Sequence, residues 1–276
     1  MSNSPPKILI FYASLGSGHL ASANAIRDAL LKNDPEMIVD IVDAFPFTTD
    51  GGNFQDTLTN LSSRFFPGIY NHIWRKGWFK SVYNAYCATD KLQDHVLSTV
   101  RRKDPGVVVC TQSIPCSILA NKKDGLGFRL VAVATDFEFQ DFWPRKGVDA
   151  FCVAAYHDRM KLVREGILPD QIHVTGIPSK LPEKRAPIIK KDAPLNILVV
   201  AGGGKKAPYR TIQPVVRELV DLARNERELD CEWTFVYGNC LEAKDEAEAK
   251  TRGSQNIRIH GFLQDLPHKL QQADLV

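Results

Sequence analysis

The 276-residue sequence predicts an α/β fold of two Rossmann-like lobes, each a parallel sheet flanked by helices. Three observations carry this. The apolar run Ile8-Leu9-Ile10-Phe11-Tyr12-Ala13 reads as a buried parallel strand, and it runs through a glycine turn into a helical pattern, Ala21, Ala25, Ile26, Ala29 and Leu30. Short apolar runs then alternate with helical stretches along most of the chain. After a proline-rich basic segment the pattern restarts with Leu195 to Ala201, followed by Gly202-Gly203-Gly204.

In chain order, Met37 to Val42 is the second strand, and the βαβ spacing implies a right-handed crossover. Residues from about 45 to 103 break the rhythm as an aromatic and basic insertion. Phe45 to about Ala88 holds Phe65, Phe66, Trp74, Trp78 and Phe79 among other rings, and 61–103 carries eight basic residues against two acids. This insertion reads either as a helical element with core rings and a solvated basic face, or as a membrane-surface patch centred on Trp74, Arg75, Lys76, Trp78, Phe79 and Lys80. Strands follow at Gly106 to Thr111, Phe128 to Ala134, Ala150 to Ala154 and Ile172 to Thr175. Helices are expected at about 115–123 and 158–165. The first lobe closes at about residue 178. Residues 179–194, with Pro182, Pro187, Pro194 and five lysines or arginines, read as a linker. The second lobe, 195–276, has helices at about 211–224, 241–250 and 266–272 and strands at 233–237 and 257–260. Ala273 to Val276 opens as a further strand. A half-written central strand leads to the expectation that the sequence is a fragment.

Composition narrows the function. A net charge of +3 is too small to argue for nucleic acid, and no apolar run approaches the roughly 20 residues that cross a bilayer. The six cysteines form no CxxC pair and read as reduced core thiols of a cytosolic protein. No histidine–cysteine cluster has metal spacing, and no G-x-S-x-G nucleophile turn occurs.

The chemistry sits at the turns. Gly16, Ser17 and Gly18 lie where a strand passes into a helix, so backbone N–H groups and the helix dipole face the space above the sheet. His19 adds a group that exchanges protons near neutral pH. With Asp40 or Asp43 about twenty residues on, the same stretch also fits the relaxed G-x-G-x-x-G/A dinucleotide fingerprint, or a turn that only packs helix on strand. Gly202-Gly203-Gly204-Lys205-Lys206 is not a Walker A loop; it reads as a diphosphate cradle or a surface loop. Asp136 ends an apolar strand at the edge where open α/β sheets bind ligands, and it equally suits a turn or cap. Trp143 follows in a loop, where simple packing is the plainer role.

These residues together resemble a known family. Gly16-Ser17-Gly18-His19 with Ala21-Ser22-Ala23 and Ala25-Ile26 resembles the G-x-G-H opening of the monogalactosyldiacylglycerol synthase and processive diacylglycerol glucosyltransferase family. Thr135-Asp136-Phe137 with Trp143 and Val148-Asp149, then Thr175-Gly176-Ile177-Pro178, match its later motifs. Gly202-Gly203-Gly204, Gly238-Asn239 and Gly261-Phe262 fall where its second lobe has glycine turns. The resemblance implies a GT-B glycosyltransferase that moves a hexose from a UDP-sugar to a lipid hydroxyl such as that of 1,2-diacylglycerol, with inversion. It implies His19 as the base, with Asp136 near the reaction centre. Gly16, Ser17, Gly18, Phe137 and Trp143 would line the acceptor side, and Gly202, Gly203, Gly204, Asn239 and Phe262 the donor side. The partners would be a UDP-sugar, diacylglycerol and an anionic membrane surface at its cytoplasmic face, with no metal or cofactor.

There are departures. Gln140 stands where the family has histidine, Lys205-Lys206 follows the glycine loop, and Tyr237 replaces the basic residue before Gly238-Asn239. The family's ribose- and hexose-binding acids would fall beyond Val276, so the expectation is a truncated chain, inactive alone. Two other readings stay open: an NAD-linked or epimerase-type Rossmann enzyme, and an inactive membrane-surface binding lobe.

Overall fold

The computed structural model describes residues 5–13, 18–45, 89–123, 125–180, 193–201, 207–225 and 230–276. Two units divide the chain, one carrying a six-stranded sheet and the other a three-stranded sheet.

The first sheet consists of β1 (Lys7–Tyr12), β2 (Ile38–Asp43), β3 (Val107–Cys110), β4 (Arg129–Val133), β5 (Ala150–Val153) and β6 (Ile172–Val174). Every pairing is parallel, in the order β2-β1-β3-β4-β5-β6. Its helices are α1 (Gly18–Asn33), α2 (Asp90–Lys103), α3 (Ser113–Lys122) and α4 (Tyr156–Arg164). Alternate residues of the strands feed two cores. Leu9, Phe11, Leu130, Ala132 and Phe151 pack with Val96 and Val100 of α2, Ile118 and Leu119 of α3 and Leu162 of α4. Ile8, Ile10, Val109 and Val133 face the other way and pack with Ala23 of α1. This two-sided burial is why β1 reads as an unbroken apolar run. Each fully buried Leu, Ile or Phe contributes roughly 1.5–3 kcal/mol to that packing.

One boundary needs correcting. The sequence reading placed 90–103 inside the aromatic-basic insertion, whereas these residues form α2, a helix of the sheet's own layer. Leu92, Val96, Leu97 and Val100 recur at helical spacing and are buried. The basic residues Arg101, Arg102 and Lys103 sit in its last turn, where the carbonyl end of the helix dipole favours cations. Lys103 also reaches Asp40 of β2 at 2.9 Å. These charges serve the helix end and a neighbouring strand.

The loop into β5 is fixed by one carboxylate. Asp149 Oδ2 accepts from the Leu130 amide at 2.6 Å and from Lys123, while the Asp149 amide donates to Leu130 O at 2.9 Å. Burial pushes the Asp149 carboxyl up. The Lys123 and Leu130 hydrogen bonds and the charges of Lys123 and Arg129 outweigh it, so the group stays below the usual carboxylate range. Because the folded value lies below the unfolded one, this carboxylate stabilises the fold at neutral pH. That contribution disappears as pH falls below about 4, through the depressed folded value. Lys123→Met should therefore flatten the acid side of the stability curve, measured by urea melts from pH 7 down to pH 3. An unchanged slope would assign the acid response to other carboxyls.

The second unit has β7 (Leu195–Val200), β8 (Cys231–Val236) and β9 (Ile257–His260), all parallel in the order β7-β8-β9. Its helices are α5 (Ala207–Asn225), α6 (Leu241–Lys250) and α7 (Leu266–Gln272). Val216, Val220 and Ala223 of α5 and Ala243 and Ala247 of α6 pack with Trp233, Phe235 and Tyr237. The α5 helix starts four residues before the expected Thr211 and keeps Pro214 in its interior. Leu275 forms a parallel bridge to Ile197, and its carbonyl accepts from the Leu198 amide at 2.8 Å. The last residues thus begin to pair with β7 on the side away from β8.

Candidate functional site

In an open parallel sheet the ligand edge is the one at the carboxyl ends of the strands. In the first unit that edge gathers the ends of β1, β3, β4 and β6 around the first turn of α1. His19, half-buried, is the second residue of that helix. Its Nδ1 lies 2.8 Å from the carbonyl oxygen of Thr111, which follows β3, and 3.1 Å from Oγ1 of Thr135, which follows β4. Oγ1 of Thr135 is also 3.4 Å from the Thr111 carbonyl. The Thr111 hydroxyl faces the carbonyls of His19 at 3.2 Å and Phe11 at 3.3 Å. Three strands and a helix terminus are joined through two threonines. Among the described residues, Nε2 of His19 has no partner, so the ring is held by one nitrogen and presents the other.

Asp136 and Phe137 come next along the chain. Asp136 is exposed and makes no hydrogen bond or ion pair among the described residues; Phe137 is 79% exposed. The loop that carries them is anchored just beyond. Phe139 is fully buried, and its amide donates to Oδ1 of the fully buried Asp158 at 2.8 Å, while its carbonyl accepts from Lys161 at 3.0 Å. Arg145 bonds Glu165 and donates to Trp143 O at 2.8 Å, with its guanidinium 5.0 Å from the centre of the Phe139 ring. Trp143, expected on the acceptor side, packs in this anchor, the plainer of the two roles the sequence allows it. It is 5% exposed and stacks on Phe139 with ring centroids 5.4 Å apart. Asp158, which the sequence reading passed over, sits in the first turn of α4, where an acid suits the helix dipole.

The Thr175-Gly176-Ile177-Pro178 segment also returns to this helix. Gly176 takes φ +75°, which turns the chain after β6. Oγ of the buried Ser22 then donates to Pro178 O at 3.0 Å, and Lys180 pairs with Asp28, two turns further along α1. Asp28, also bonded by Arg27, is held below its usual range by these two cations.

The acids that a dinucleotide ribose would need are engaged elsewhere. Asp40 is bonded to Lys103, and Asp43 Oδ1 accepts from the Phe45 amide at 2.9 Å. In the second unit, Asn239 and Phe262 follow β8 and β9 at the carboxyl edge. Both are exposed, Phe262 by 70%. Gly238 turns the chain after β8 with φ +56°, and the Gly238 carbonyl lies close to Gly261 in the loop after β9.

Several expected site residues lie outside the described residues: Gly16 and Ser17, Gly202, Gly203 and Gly204, and Trp74, Arg75, Lys76, Trp78, Phe79 and Lys80. Among the described residues, no three His, Cys, Asp or Glu side chains gather as metal ligands, and no helix is long and apolar enough to cross a membrane.

The run of motifs from His19 to Pro178 is one that other proteins share. A family profile for monogalactosyldiacylglycerol (MGDG) synthase matches residues 19–178, more than half of the chain. The chain belongs to the MGDG synthase family. The match to this family opens at His19 and closes at Pro178, the residue that Ser22 fastens to the same helix. An uncharacterized glycosyltransferase of Bacillus subtilis, YkoN, is 25% identical over 209 residues, 71% of this chain and 54% of that protein. A processive diacylglycerol beta-glucosyltransferase of Bacillus cereus strain B4264 is 25% identical over 177 residues, 63% of this chain and 45% of that protein. One from Bacillus mycoides is 23% identical over 274 residues, covering 95% and 68%. The chain spans about half the length of the first two relatives.

Solved structures agree on the fold of this MGDG synthase family member. MurG of Acinetobacter baumannii superposes with a TM-score of 0.55 at 15% identity, covering 98% of this chain and 72% of that one. A UDP-GlcNAc 2-epimerase of Neisseria meningitidis bound to UDP-GlcNAc gives 0.53 at 11% identity, covering 96% and 75%. The fold is GT-B.

Proposed function

We propose that the protein transfers a hexose from a UDP-sugar to the hydroxyl of a membrane lipid of the diacylglycerol class, with inversion at the anomeric carbon. The observation that carries the reading is His19 at the sheet's carboxyl edge, held through Nδ1 by Thr111. The names of the relatives supply the acceptor class, and a neighbour bound to a UDP-sugar supplies the donor class. In this reading the acceptor oxygen attacks the anomeric carbon as the bond to the UDP oxygen breaks. The hydroxyl proton passes to Nε2 of His19, and UDP leaves. General-base help of this kind contributes about 10²–10⁴-fold. Asp136, exposed and next in sequence to Thr135, would favour positive charge building up near the anomeric carbon, and Phe137 would meet the acyl or glycerol part of the acceptor. On the donor side Asn239, Phe262 and the Gly202-Gly203-Gly204 turn would hold the nucleotide diphosphate, with backbone amides neutralising its charge.

The test is glycolipid formation by the natural protein from UDP-glucose or UDP-galactose on diacylglycerol vesicles, read by mass spectrometry. A glycosylated diacylglycerol supports the proposal. Interconversion of UDP-sugars without lipid product would favour an epimerase, and vesicle binding with no chemistry would favour a binding lobe. Either result sinks the transferase reading.

The membrane role of the aromatic-basic stretch is a separate part of the proposal. Replacing Trp74, Trp78 and Phe79 with serine should weaken sedimentation with phosphatidylglycerol vesicles severalfold without lowering the melting temperature. Unchanged sedimentation would leave those rings no role at the membrane.

A further inference from the structure

We infer that Thr135 is a positioning residue: together with the Thr111 carbonyl it holds His19 as the Nδ1–H tautomer, leaving the Nε2 lone pair free to take a proton. A carbonyl oxygen only accepts hydrogen bonds. At 2.8 Å from Thr111 O, His19 Nδ1 must therefore carry the hydrogen; with a bare Nδ1, two lone pairs would be pressed together. The Thr135 hydroxyl completes the arrangement. Its oxygen lies 3.4 Å from the same carbonyl, so its hydrogen points there and its own lone pair faces Nδ1–H at 3.1 Å. His19 and Thr135 thus share one acceptor, the main chain at the end of β3, and the hydroxyl becomes a second acceptor for the ring. Catalytic histidines are commonly oriented by a carboxylate. Here the orienting groups are neutral, and they follow two adjacent strands of the sheet.

The geometry also separates the two threonines. Thr111 acts through its main-chain carbonyl, while its hydroxyl faces the His19 and Phe11 carbonyls and so fixes the helix start. Thr135 acts on the ring through its side chain alone, so it can be replaced without touching the carbonyl.

The kinetic part rests on the transferase reading; the tautomer part does not. In protein with ¹⁵N-labelled histidine, long-range ¹H–¹⁵N correlation at pH 8, with His19 assigned by its loss in His19→Asn, should show a protonated Nδ1 and a bare Nε2. Thr135→Val should broaden the His19 signals or shift them towards a mixture of tautomers, whereas Thr135→Ser should restore the wild-type pattern. In the transfer assay Thr135→Val should lower kcat about tenfold, as expected for one lost orienting hydrogen bond, with donor KM unchanged. Thr135→Ser should recover most of it. A bare Nδ1 in the wild-type protein overturns the inference, and so does a Thr135→Val protein with an unaltered His19 spectrum. If the natural protein transfers no sugar, the spectra still decide the tautomer on their own.

Discussion

Replacing His19 with alanine is expected to lower transferase turnover by about two to four orders of magnitude, the usual worth of a general base. The donor KM should stay within a small factor, because the ring belongs to the first unit and the proposed UDP contacts are in the second. Stability should fall little. The side chain is half-buried, and its hydrogen bonds to Thr111 and Thr135 contribute about 1 kcal/mol each at most. His19→Asn sharpens the experiment. A carboxamide can still donate to the Thr111 carbonyl, so the start of α1 keeps its anchor, yet it cannot accept a proton. If the base is what matters, alanine and asparagine lose equally in kcat. If anchoring is what matters, asparagine recovers most of the loss. Wild-type turnover in both variants would remove His19 from the mechanism.

Gly147→Ala should be the most damaging small substitution in the first unit. Gly147 takes φ +75°, a conformation that costs an L-residue roughly 1–2 kcal/mol. A Cβ there would also run into the main-chain carbonyl of Ala120 in α3, which cannot step aside without moving the helix. Overpacking of this kind adds about 1–3 kcal/mol. The sum is a large part of an ordinary domain's stability and should lower the melting temperature by on the order of 10 °C. Gly127→Ala is the control: Gly127 also has positive φ, at +58°, but nothing lies within 4 Å of its added Cβ. It should show the strain without the collision. Equal melting of the two variants would mean that the Ala120 contact does not matter.

Much of the architecture was legible because both faces of these strands are covered. A parallel strand with helices above and below must be apolar throughout, and Ile8 to Phe11, Val107 to Cys110 and Leu130 to Val133 announce themselves. The α2 helix was hidden for the opposite reason. Its buried Leu92, Val96 and Val100 have helical spacing, but Arg101, Arg102 and Lys103 merged with the basic residues before it and read as one patch. Trp143 stayed ambiguous because an aromatic in a loop after a strand-end aspartate looks the same whether it meets a ligand or a neighbour. Only the fold reveals Phe139 stacked beneath it. The places of His19 and Asp136, at turns on the sheet's carboxyl edge, could be read from the pattern of strands and helices. What holds His19 could not, since its main partner is a backbone carbonyl 92 residues away, and a backbone carbonyl has no signature in a sequence.

The anchored loop beyond β4 has a consequence for kinetics. Fixing a residue's backbone costs about 1–2 kcal/mol, so a slack segment of that length would drain affinity from any ligand that had to order it. Here Asp158, Lys161, Arg145 and the Phe139–Trp143 stack order it as the chain folds. If the acceptor meets Asp136 and Phe137 as proposed, it meets them on a loop already anchored from Phe139 onward. At this edge, association should be governed by diffusion and desolvation, without a slow rearrangement of the loop to wait for.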